Sequence, residues 1–211
     1  MMQKGKFITL EGIDGAGKST HLSWIADYLR NQGIPVLTTR EPGGTQLGEC
    51  IRSLLLDHRQ MMHAETETLL MFAARREHLD KVILPALHQG NWVISDRFTD
   101  ASYAYQGGGR GVLIEKLRIL EAWVQSEFQP DLTLYFDLSI EVARLRMQSI
   151  KIADRFENEQ NDFFHRVRAA YLARVNQFPE RIQILDASDS IADISHQLQK
   201  ILQPLLTSGK P

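Results

Sequence analysis

Residues 12–19 combine glycine, lysine and serine at the spacing of a phosphate-binding loop. They read GIDGAGKS, which matches the pattern G-x-x-x-x-G-K-S. In such a loop the backbone N–H groups cradle phosphate oxygens, Lys18 reaches the outer phosphates, and the Ser19 hydroxyl can ligate magnesium. The sequence therefore predicts binding of a nucleoside triphosphate. The residues assigned to this site are Gly12, Ile13, Asp14, Gly15, Ala16, Gly17, Lys18, Ser19 and Thr20.

The segments on either side are those that such a loop requires. Phe7–Glu11 is a short apolar run, FITLE, which is typical of a strand. Leu22, Ile25 and Leu29 then recur at helical spacing. A glycine-rich turn that matched by chance would lack this strand–loop–helix context, so we favour the functional interpretation.

An aspartate and an arginine follow the third candidate strand, in the sequence VISDRF. Asp96 has the usual position of a second contact to nucleotide-bound magnesium. Asp137, at the end of LTLYFD, competes for that role, and either carboxylate could instead be a helix cap or a turn former. The adjacent Arg97 favours Asp96 over Asp137 as the metal ligand, because a guanidinium at this point can bind a second phosphate bidentately. Ser19 and Asp96 are therefore the candidate metal ligands, and Arg97 is the candidate for a second phosphate.

Two further glycine-rich segments follow strands. REPGGTQLG (Arg40 to Gly48) comes after the second candidate strand, and YQGGGRG (Tyr105 to Gly111) comes shortly after the third. Loops at the carboxyl ends of parallel strands surround the ligand crevice. Both segments are therefore expected to face the phosphate-binding loop, which would bring Arg40, Arg97 and Arg110 into one cleft.

Two pairs of residues are ambiguous from their spacing alone. Phe72 and Arg76 are four apart, on one face of a predicted helix, where a ring can stack on a base and an arginine can donate to a base carbonyl. A core phenylalanine beside an exposed arginine is the simpler interpretation of the same spacing. Tyr105 and Gln106 can likewise be ligands or packing residues.

The remaining pattern predicts an α/β fold. Strand candidates alternate with helical segments, which favours a five-stranded parallel sheet with helices on both faces. Besides the first strand, the candidates are Val36–Thr39, Trp92–Ser95, Leu132–Phe136 and Ile182–Leu185. Helical patterns cover Thr66–Leu84, with Pro85 near the end, and recur from Ile191 to Leu205. No repeat or linker interrupts them, so residues 1–211 are predicted to form a single domain.

Composition excludes several classes of function. The chain has 211 residues, of which 43% are hydrophobic and 24% charged, and its net charge is -2. This balance offers no surface for nucleic acid, and no apolar run approaches the length of a membrane span. The single cysteine, Cys50, excludes an intramolecular disulfide and a multi-cysteine metal site. Because no signal peptide is recognisable, a cytoplasmic location is expected.

A polar stretch, Gln148 to Asp162, separates two predicted helices within residues 140–178. It is either a solvated loop or a mobile lid that closes over the triphosphate and excludes water. Next to a phosphate-binding loop, the lid is the favoured interpretation, over approximately residues 147–160.

These motifs together resemble those of the thymidylate kinase family, over nearly the whole chain. The resemblance rests on EGIDGAGKS, TREPGGTQLG, LMFAARREH, SDRF, AYQGGGRG and the lid segment DRFE. It implies the P-loop nucleoside monophosphate kinase fold with a short lid. It also implies transfer of the γ-phosphate of ATP to dTMP, with magnesium, usually by a homodimer.

The resemblance implies roles for individual residues as well. Asp14 would hold the 3′-hydroxyl of dTMP, Phe72 would stack on thymine, and Arg76 would bond to thymine O4. Arg97 would bind the dTMP phosphate, and Tyr105 would crowd the 2′ position and reject ribonucleotides. The residues so assigned to dTMP are Asp14, Phe72, Arg76, Arg97, Ser102, Tyr105 and Gln106.

The sequence departs from the family where a cation should neutralise the transferred phosphoryl group. The variable positions of the phosphate loop, residues 13–16, contain no basic residue, and residues 148–150 are Gln-Ser-Ile where relatives are often basic. Arg155 is therefore the first candidate and Lys151 the second, with pairing of Arg155 to a nearby lid glutamate as the structural alternative. The candidate catalytic residues are Lys18, Arg97, Arg155 and Lys151.

The sequence is also compatible with two other functions. A kinase for another nucleoside monophosphate, or for a deoxynucleoside, would share the phosphate-binding loop. A non-catalytic nucleotide-binding regulator would need no second phosphate site. A GTPase is disfavoured, because the full sequence contains no Asn-Lys-x-Asp motif.

Overall fold

The computed structural model of the chain describes residues 4–59, 61–147, 155–156 and 159–207. Five strands form one sheet in the order β2-β3-β1-β4-β5, and every pairing is parallel. The strands are β1 Phe7–Glu11, β2 Val36–Arg40, β3 Trp92–Asp96, β4 Leu132–Asp137 and β5 Ile182–Asp186. The predicted five-stranded parallel sheet is therefore confirmed.

Helices connect these strands in the described part of the chain. Their bounds are α1 Lys18–Asn31, α2 Gln46–Leu56, α3 Ala64–His78, α4 Leu84–His88, α5 Thr99–Ser102, α6 Ile114–Gln125, α7 Ile140–Met147, α8 Asn161–Gln177 and α9 Ile191–Thr207. No described helix is both long and apolar enough to cross a bilayer.

Two π-helical turns depart from the pattern that the sequence predicts. Residues Leu79–Ile83 join α3 to α4, so the helical path continues beyond Pro85, which lies at the start of α4. Tyr103–Gly109 is also π-helical and includes most of the segment predicted to be an open loop. It packs against α8, and the methyl carbon of an alanine at position 108 would lie 2.6 Å from the Ala170 side chain.

Alternating residues of β1 place hydrophobic clusters on both faces of the sheet. Phe7 packs in one cluster with Val93 and Phe72, while Ile8 packs in another with Ile25 and Leu198. Successive side chains of a strand point to opposite faces, so helices cover both sides. This arrangement leaves the carboxyl ends of the central strands as the place where a ligand can bind.

Candidate functional site

The loop between β1 and α1 has the backbone of a phosphate-binding nest. Gly12, Gly15 and Gly17 have φ values of 135°, 83° and 83°. A methyl group at Gly12 would lie 2.6 Å from the Phe136 carbonyl oxygen, and one at Gly15 would lie 2.7 Å from that of Ala143. Only glycine fits these positions, so the loop brings its N–H groups together at the start of α1.

Lys18 lies inside this loop. Its side chain is 5% exposed, and Nζ donates to the carbonyl oxygens of Gly12 and Ile13 at 3.0 Å each. Burial and the charge of Arg97 together lower the pKa of Lys18, although the Asp14 carboxylate acts in the opposite direction. An anionic phosphate beside Nζ would stabilise the charged form.

Arg97 connects the phosphate loop to the turn after β3. Its Nη2 lies 2.8 Å from Asp14 Oδ1 and 3.2 Å from the Tyr105 hydroxyl, and its guanidinium carbon lies 5.0 Å from the Tyr105 ring centroid. Burial by itself would raise the pKa of Asp14, but the charges of Arg97 and Lys18 outweigh it and the pKa is lowered. Asp14 is therefore an ionised carboxylate that lies close to two cations.

Ser19 and Asp96, the candidate metal ligands, line the same groove beside the phosphate loop. Asp96 Oδ1 is buried and accepts no hydrogen bond from any described residue. Asp137, the competing carboxylate, instead accepts two 2.7 Å bonds from Arg168 and one from the Tyr135 hydroxyl. Of the two aspartates, Asp96 is thus the one with a buried oxygen that accepts no hydrogen bond within the described residues.

A cavity of about 220 Å³, here called the main cavity, opens beside Arg97. Its volume and its mixture of apolar and polar walls suit a small organic molecule. Its lining residues are Asp14, Arg40, Glu41, Pro42, Arg52, Leu56, Met71, Arg75, Asp96, Arg97, Phe98, Ala101, Ser102, Tyr105, Gln106 and Phe156. Of the seven residues that the resemblance assigned to dTMP, the structure brings Asp14, Arg97, Ser102, Tyr105 and Gln106 together in this lining.

Phe72 and Arg76, however, do not line the main cavity. Phe72 is 1% exposed in a hydrophobic cluster with Phe7 and Val93, and Arg76 donates to the Val124 carbonyl oxygen and to Asp80. Their predicted places are taken by Met71 and Arg75, one residue earlier. Because each helical residue advances by about 100°, this shift of one position moves the pair to a different face.

Arg75 presents one donor to the cavity and has its other nitrogens occupied. Nε donates to Glu41 Oε2 at 2.8 Å, and Nη2 donates to the Phe98 carbonyl oxygen at 3.1 Å and to Ser102 Oγ at 3.0 Å. Nη1 is buried and has no hydrogen-bond partner within the described ranges. A buried donor without an acceptor is costly, so this nitrogen marks where a ligand acceptor fits.

Arg155 is held against α2 and α3. Nε donates to the Leu55 carbonyl oxygen at 2.9 Å, and Nη2 lies 2.6 Å from an oxygen of Glu67, which is fully buried. These contacts differ from both sequence-based interpretations, a transferred phosphoryl group and a lid glutamate. Lys151, the second candidate, lies outside the described residues, as does most of the predicted lid.

Glu67 also binds two residues of the predicted glycine-rich segment Tyr105 to Gly111. Its carboxylate accepts a 2.8 Å bond from Gln106 Nε2 and a 3.2 Å bond from Arg110 Nε. Arg110, which was expected in the cleft with Arg40 and Arg97, is therefore directed to Glu67 and does not line the main cavity. Glu67 was not identified from the sequence, because the residues that contact it are remote from it along the chain.

The sequence also missed Glu41, Arg52, Met71 and Arg75 as cavity residues. Arg52 donates to the Pro42 carbonyl oxygen at 2.9 Å from α2. The consecutive arginines at 75 and 76 were a visible signal, but the sequence does not say which of them faces the cavity. Exposed Cys50 takes no part in this lining.

Comparison with known proteins is consistent with this geometry. The chain is 64% identical over 202 residues to the thymidylate kinase of Nitrosomonas europaea, covering 96% of this chain and 94% of the relative. It is 60% identical over 201 residues to that of Cupriavidus necator, covering 94% and 98%. A crystal structure of thymidylate kinase from Ehrlichia chaffeensis superposes with a TM-score of 0.79 at 34% identity, covering 95% and 99% of the two chains. The family model described as Thymidylate kinase matches residues 10–198, and the chain belongs to the thymidylate kinase family.

Proposed function

We infer that this protein transfers the γ-phosphoryl group of ATP to dTMP, giving ADP and dTDP. Membership of the thymidylate kinase family supports this function. The structural observation that carries it is Arg97, which lies between the phosphate-binding loop and a separate cavity that holds a second set of polar side chains. A kinase needs both sites within reach of each other, because the two phosphates must meet.

For the donor, we propose that residues 12–20 bind the phosphates of ATP. Lys18 stabilises negative charge on the outer phosphates. Ser19 and Asp96 would hold magnesium, and the unpaired buried oxygen of Asp96 fits that use. When bound, the ion would stabilise the negative charge that develops on the phosphates.

For the acceptor, we propose that dTMP occupies the main cavity with its phosphate on Arg97. Asp14 then accepts a hydrogen bond from the 3′-hydroxyl, and Tyr105 limits space at the 2′ position. At the far end of the cavity, Nη1 of Arg75 donates to thymine O4, in the role that the resemblance gave to Arg76. Met71 supplies a polarisable apolar contact to the base in place of Phe72.

Ser102 and Gln106 complete the acceptor site in this proposal. The Ser102 hydroxyl is held by Arg75 and the Gln106 amide by Glu67, so both side chains are fixed before a ligand arrives. Fixed polar groups discriminate between bases more sharply than mobile ones, because a mismatched base leaves them unpaired.

The transfer itself is a displacement at phosphorus. An oxygen of the dTMP phosphate attacks the γ-phosphorus, the bond to the β–γ bridging oxygen breaks, and ADP leaves with that oxygen. Lys18 and Arg97 stabilise the charge that spreads over the phosphoryl oxygens, which is the main catalytic demand of this reaction. We assign Arg155 to holding the cavity wall through Glu67.

We also propose that the protein is a homodimer. Helix α6 exposes large apolar side chains, including Ile119 at 67% and Trp123 at 80%. Exposed apolar side chains clustered on one helix are typical of a protein interface. If Trp123→Glu leaves the molecular mass in light-scattering chromatography at that of the wild type, this surface is not the interface.

The experiment that tests the function measures ADP release with and without each nucleoside monophosphate. We expect release to require an acceptor, dTMP to give the highest kcat/KM among dTMP, dCMP and the corresponding ribonucleotides, and chromatography to identify dTDP. ADP release that does not depend on any acceptor would indicate a nucleotide-binding regulator with residual hydrolysis. A preference for another monophosphate would reassign the acceptor.

A further inference from the structure

Buried polar side chains form a hydrogen-bonded chain that runs from Arg75 through Glu41, both of which line the main cavity, to His78 and Thr39, which do not. Glu41 Oε2 accepts from Arg75 Nε at 2.8 Å, and Glu41 Oε1 lies 3.0 Å from His78 Nδ1. His78 Nε2 in turn lies 2.7 Å from the Thr39 hydroxyl. Arg75, Glu41 and His78 are 2%, 6% and 0% exposed, so water does not substitute for these bonds.

The Glu41 carboxylate determines which group donates in this hydrogen-bonded chain. The Glu41 carboxylate is an acceptor on both oxygens, so His78 donates through Nδ1–H. The other ring nitrogen, Nε2, is hydrogen-bonded to the Thr39 hydroxyl. Burial would raise the pKa of Glu41, but the Arg75 charge and the bond from His78 outweigh it, so the pKa is lowered and the carboxylate stays ionised.

The guanidinium of Arg75 is confined in the other directions as well. Its carbon lies 4.7 Å from the Phe72 ring centroid and 5.1 Å from that of Phe98. Nη2 is occupied by the Phe98 carbonyl oxygen and by Ser102. Glu41 is the charged group that binds Nε of Arg75. Because Nε and Nη2 are both hydrogen-bonded within the protein, Nη1 is the nitrogen that can face a ligand.

We propose that Glu41 and His78 are positioning residues that set base specificity, by holding Arg75 so that it offers a single immobile donor to the acceptor. This inference rests on the proposed function. A fixed donor is paired by a carbonyl oxygen at the 4-position of a pyrimidine and opposed by an amino group there. A mobile arginine could turn away from the amino group, and the cavity would then discriminate less.

The test compares kcat/KM for dTMP and dCMP in the wild type, Glu41→Gln and His78→Leu. Glu41→Gln keeps the side-chain shape but removes the charge that fixes Arg75. We expect it to lower the dTMP:dCMP ratio at least about tenfold, which corresponds to about 1.4 kcal/mol. His78→Leu should lower the ratio in the same direction. His78→Asn, which keeps an N–H near the position of Nδ1, should retain more of the preference than His78→Leu.

A matched control separates specificity from stability. Glu77→Gln removes a carboxylate from α3 one residue before His78, and Glu77 does not line the main cavity. Its ratio should stay at the wild-type value. Loss of folded protein lowers both activities equally and leaves the ratio unchanged, so an unchanged ratio in folded Glu41→Gln overturns the proposal, and one in folded His78→Leu removes His78 from it.

If Glu41→Gln does not fold, Thr39→Val disrupts the same hydrogen-bonded chain more mildly, since it removes only the hydroxyl that binds Nε2 of His78. We expect a smaller fall in the ratio, and an unchanged ratio in that variant counts against the chain. Failure of the proposed function is distinguishable from all of these results, because the wild type itself would then show no preference for dTMP.

Discussion

Asp14 and Arg97 form an ion pair across the cleft, with 2.8 Å between Oδ1 and Nη2. The same carboxylate lies 3.6 Å from the ammonium group of Lys18. An acceptor phosphate that binds Arg97 brings negative charge, as the Asp14 carboxylate does. The guanidinium can therefore exchange one anion for the other without leaving a buried charge unpaired, which would be costly.

Lys18→Ala should lower turnover by several orders of magnitude while the thermal unfolding temperature changes little. The ammonium group bonds only to backbone carbonyls and to Asp14 among the contacts seen in the structure, and its main partner in the reaction is phosphate. Steady-state ADP release and calorimetry measure the two quantities, with the exposed residue change Lys81→Ala as control. Retention of more than about a tenth of the turnover, a loss below about 1.4 kcal/mol, would be incompatible with a catalytic phosphate loop.

Arg75→Ala should lower kcat/KM for dTMP far more than Arg76→Ala does. Only Arg75 lines the main cavity, whereas Arg76 is half exposed and donates to α6. Removing a hydrogen bond from a charged donor costs about 1.5–3 kcal/mol, so we expect a loss of roughly tenfold or more for Arg75. The reverse order of effects would restore the assignment that the sequence resemblance suggested.

Arg155→Ala and Glu67→Gln should raise KM for dTMP more than they lower kcat. Glu67 holds Gln106 in the cavity wall as well as Arg155, so loss of either partner disturbs the acceptor site. The double variant should lose less than the sum of the two single losses, because residues in contact are coupled by about 0.5–3 kcal/mol. An effect of Arg155→Ala confined to kcat would instead indicate that this arginine reaches the transferred phosphoryl group.

Glu11→Gln should gain stability relative to the wild type as the pH rises. Burial, and then the nearby Asp100 carboxylate, raise the pKa of Glu11 from 4.5 to about 8, despite the bonds from Tyr171 and Phe98. Between these values the folded state binds more protons than the unfolded state, so the free energy of unfolding that Glu11 contributes falls as pH rises and levels off above about 8. Glutamine resembles the protonated acid and has no such loss.

Urea unfolding of both proteins from pH 5 to pH 8.5 measures this difference. Other titrating groups are common to the two proteins, so they cancel in the comparison. A difference in unfolding free energy that stayed constant across this range would show that Glu11 is ionised throughout.

The sheet and the phosphate-binding loop could be predicted from the sequence because each depends on a local pattern, whereas most of the acceptor-site residues were named only through the family resemblance. The sequence could not show which residues of α3 face the cavity. LMFAARREH contains neighbouring candidates both for the apolar contact and for the arginine donor, and a shift of one residue rotates the position on the helix by about 100°. Packing of Phe72 against Phe7 and Val93 in one cluster decides which neighbour faces the cavity, and that contact joins distant parts of the chain.

The partner of Arg155 was beyond sequence reasoning for a similar reason. Glu67 is 88 residues away along the chain, and nothing in its surroundings marks it as the carboxylate that collects three polar side chains. Charge alone suggested phosphate for Arg155, since an arginine in a polar stretch and an arginine in a buried ion pair have the same sequence signature.

The backbone of Arg97 lies in the left-handed region, which affects how this protein can be stabilised by substitution. Its φ of 71° is a conformation that glycine or asparagine adopts more readily than arginine, at a cost on the order of 1 kcal/mol. Substitution by glycine would therefore relieve strain, but it would also remove the guanidinium that pairs with Asp14. A screen for heat resistance alone does not measure the effect of this loss on activity, so a selection for more robust forms of this protein must also demand turnover.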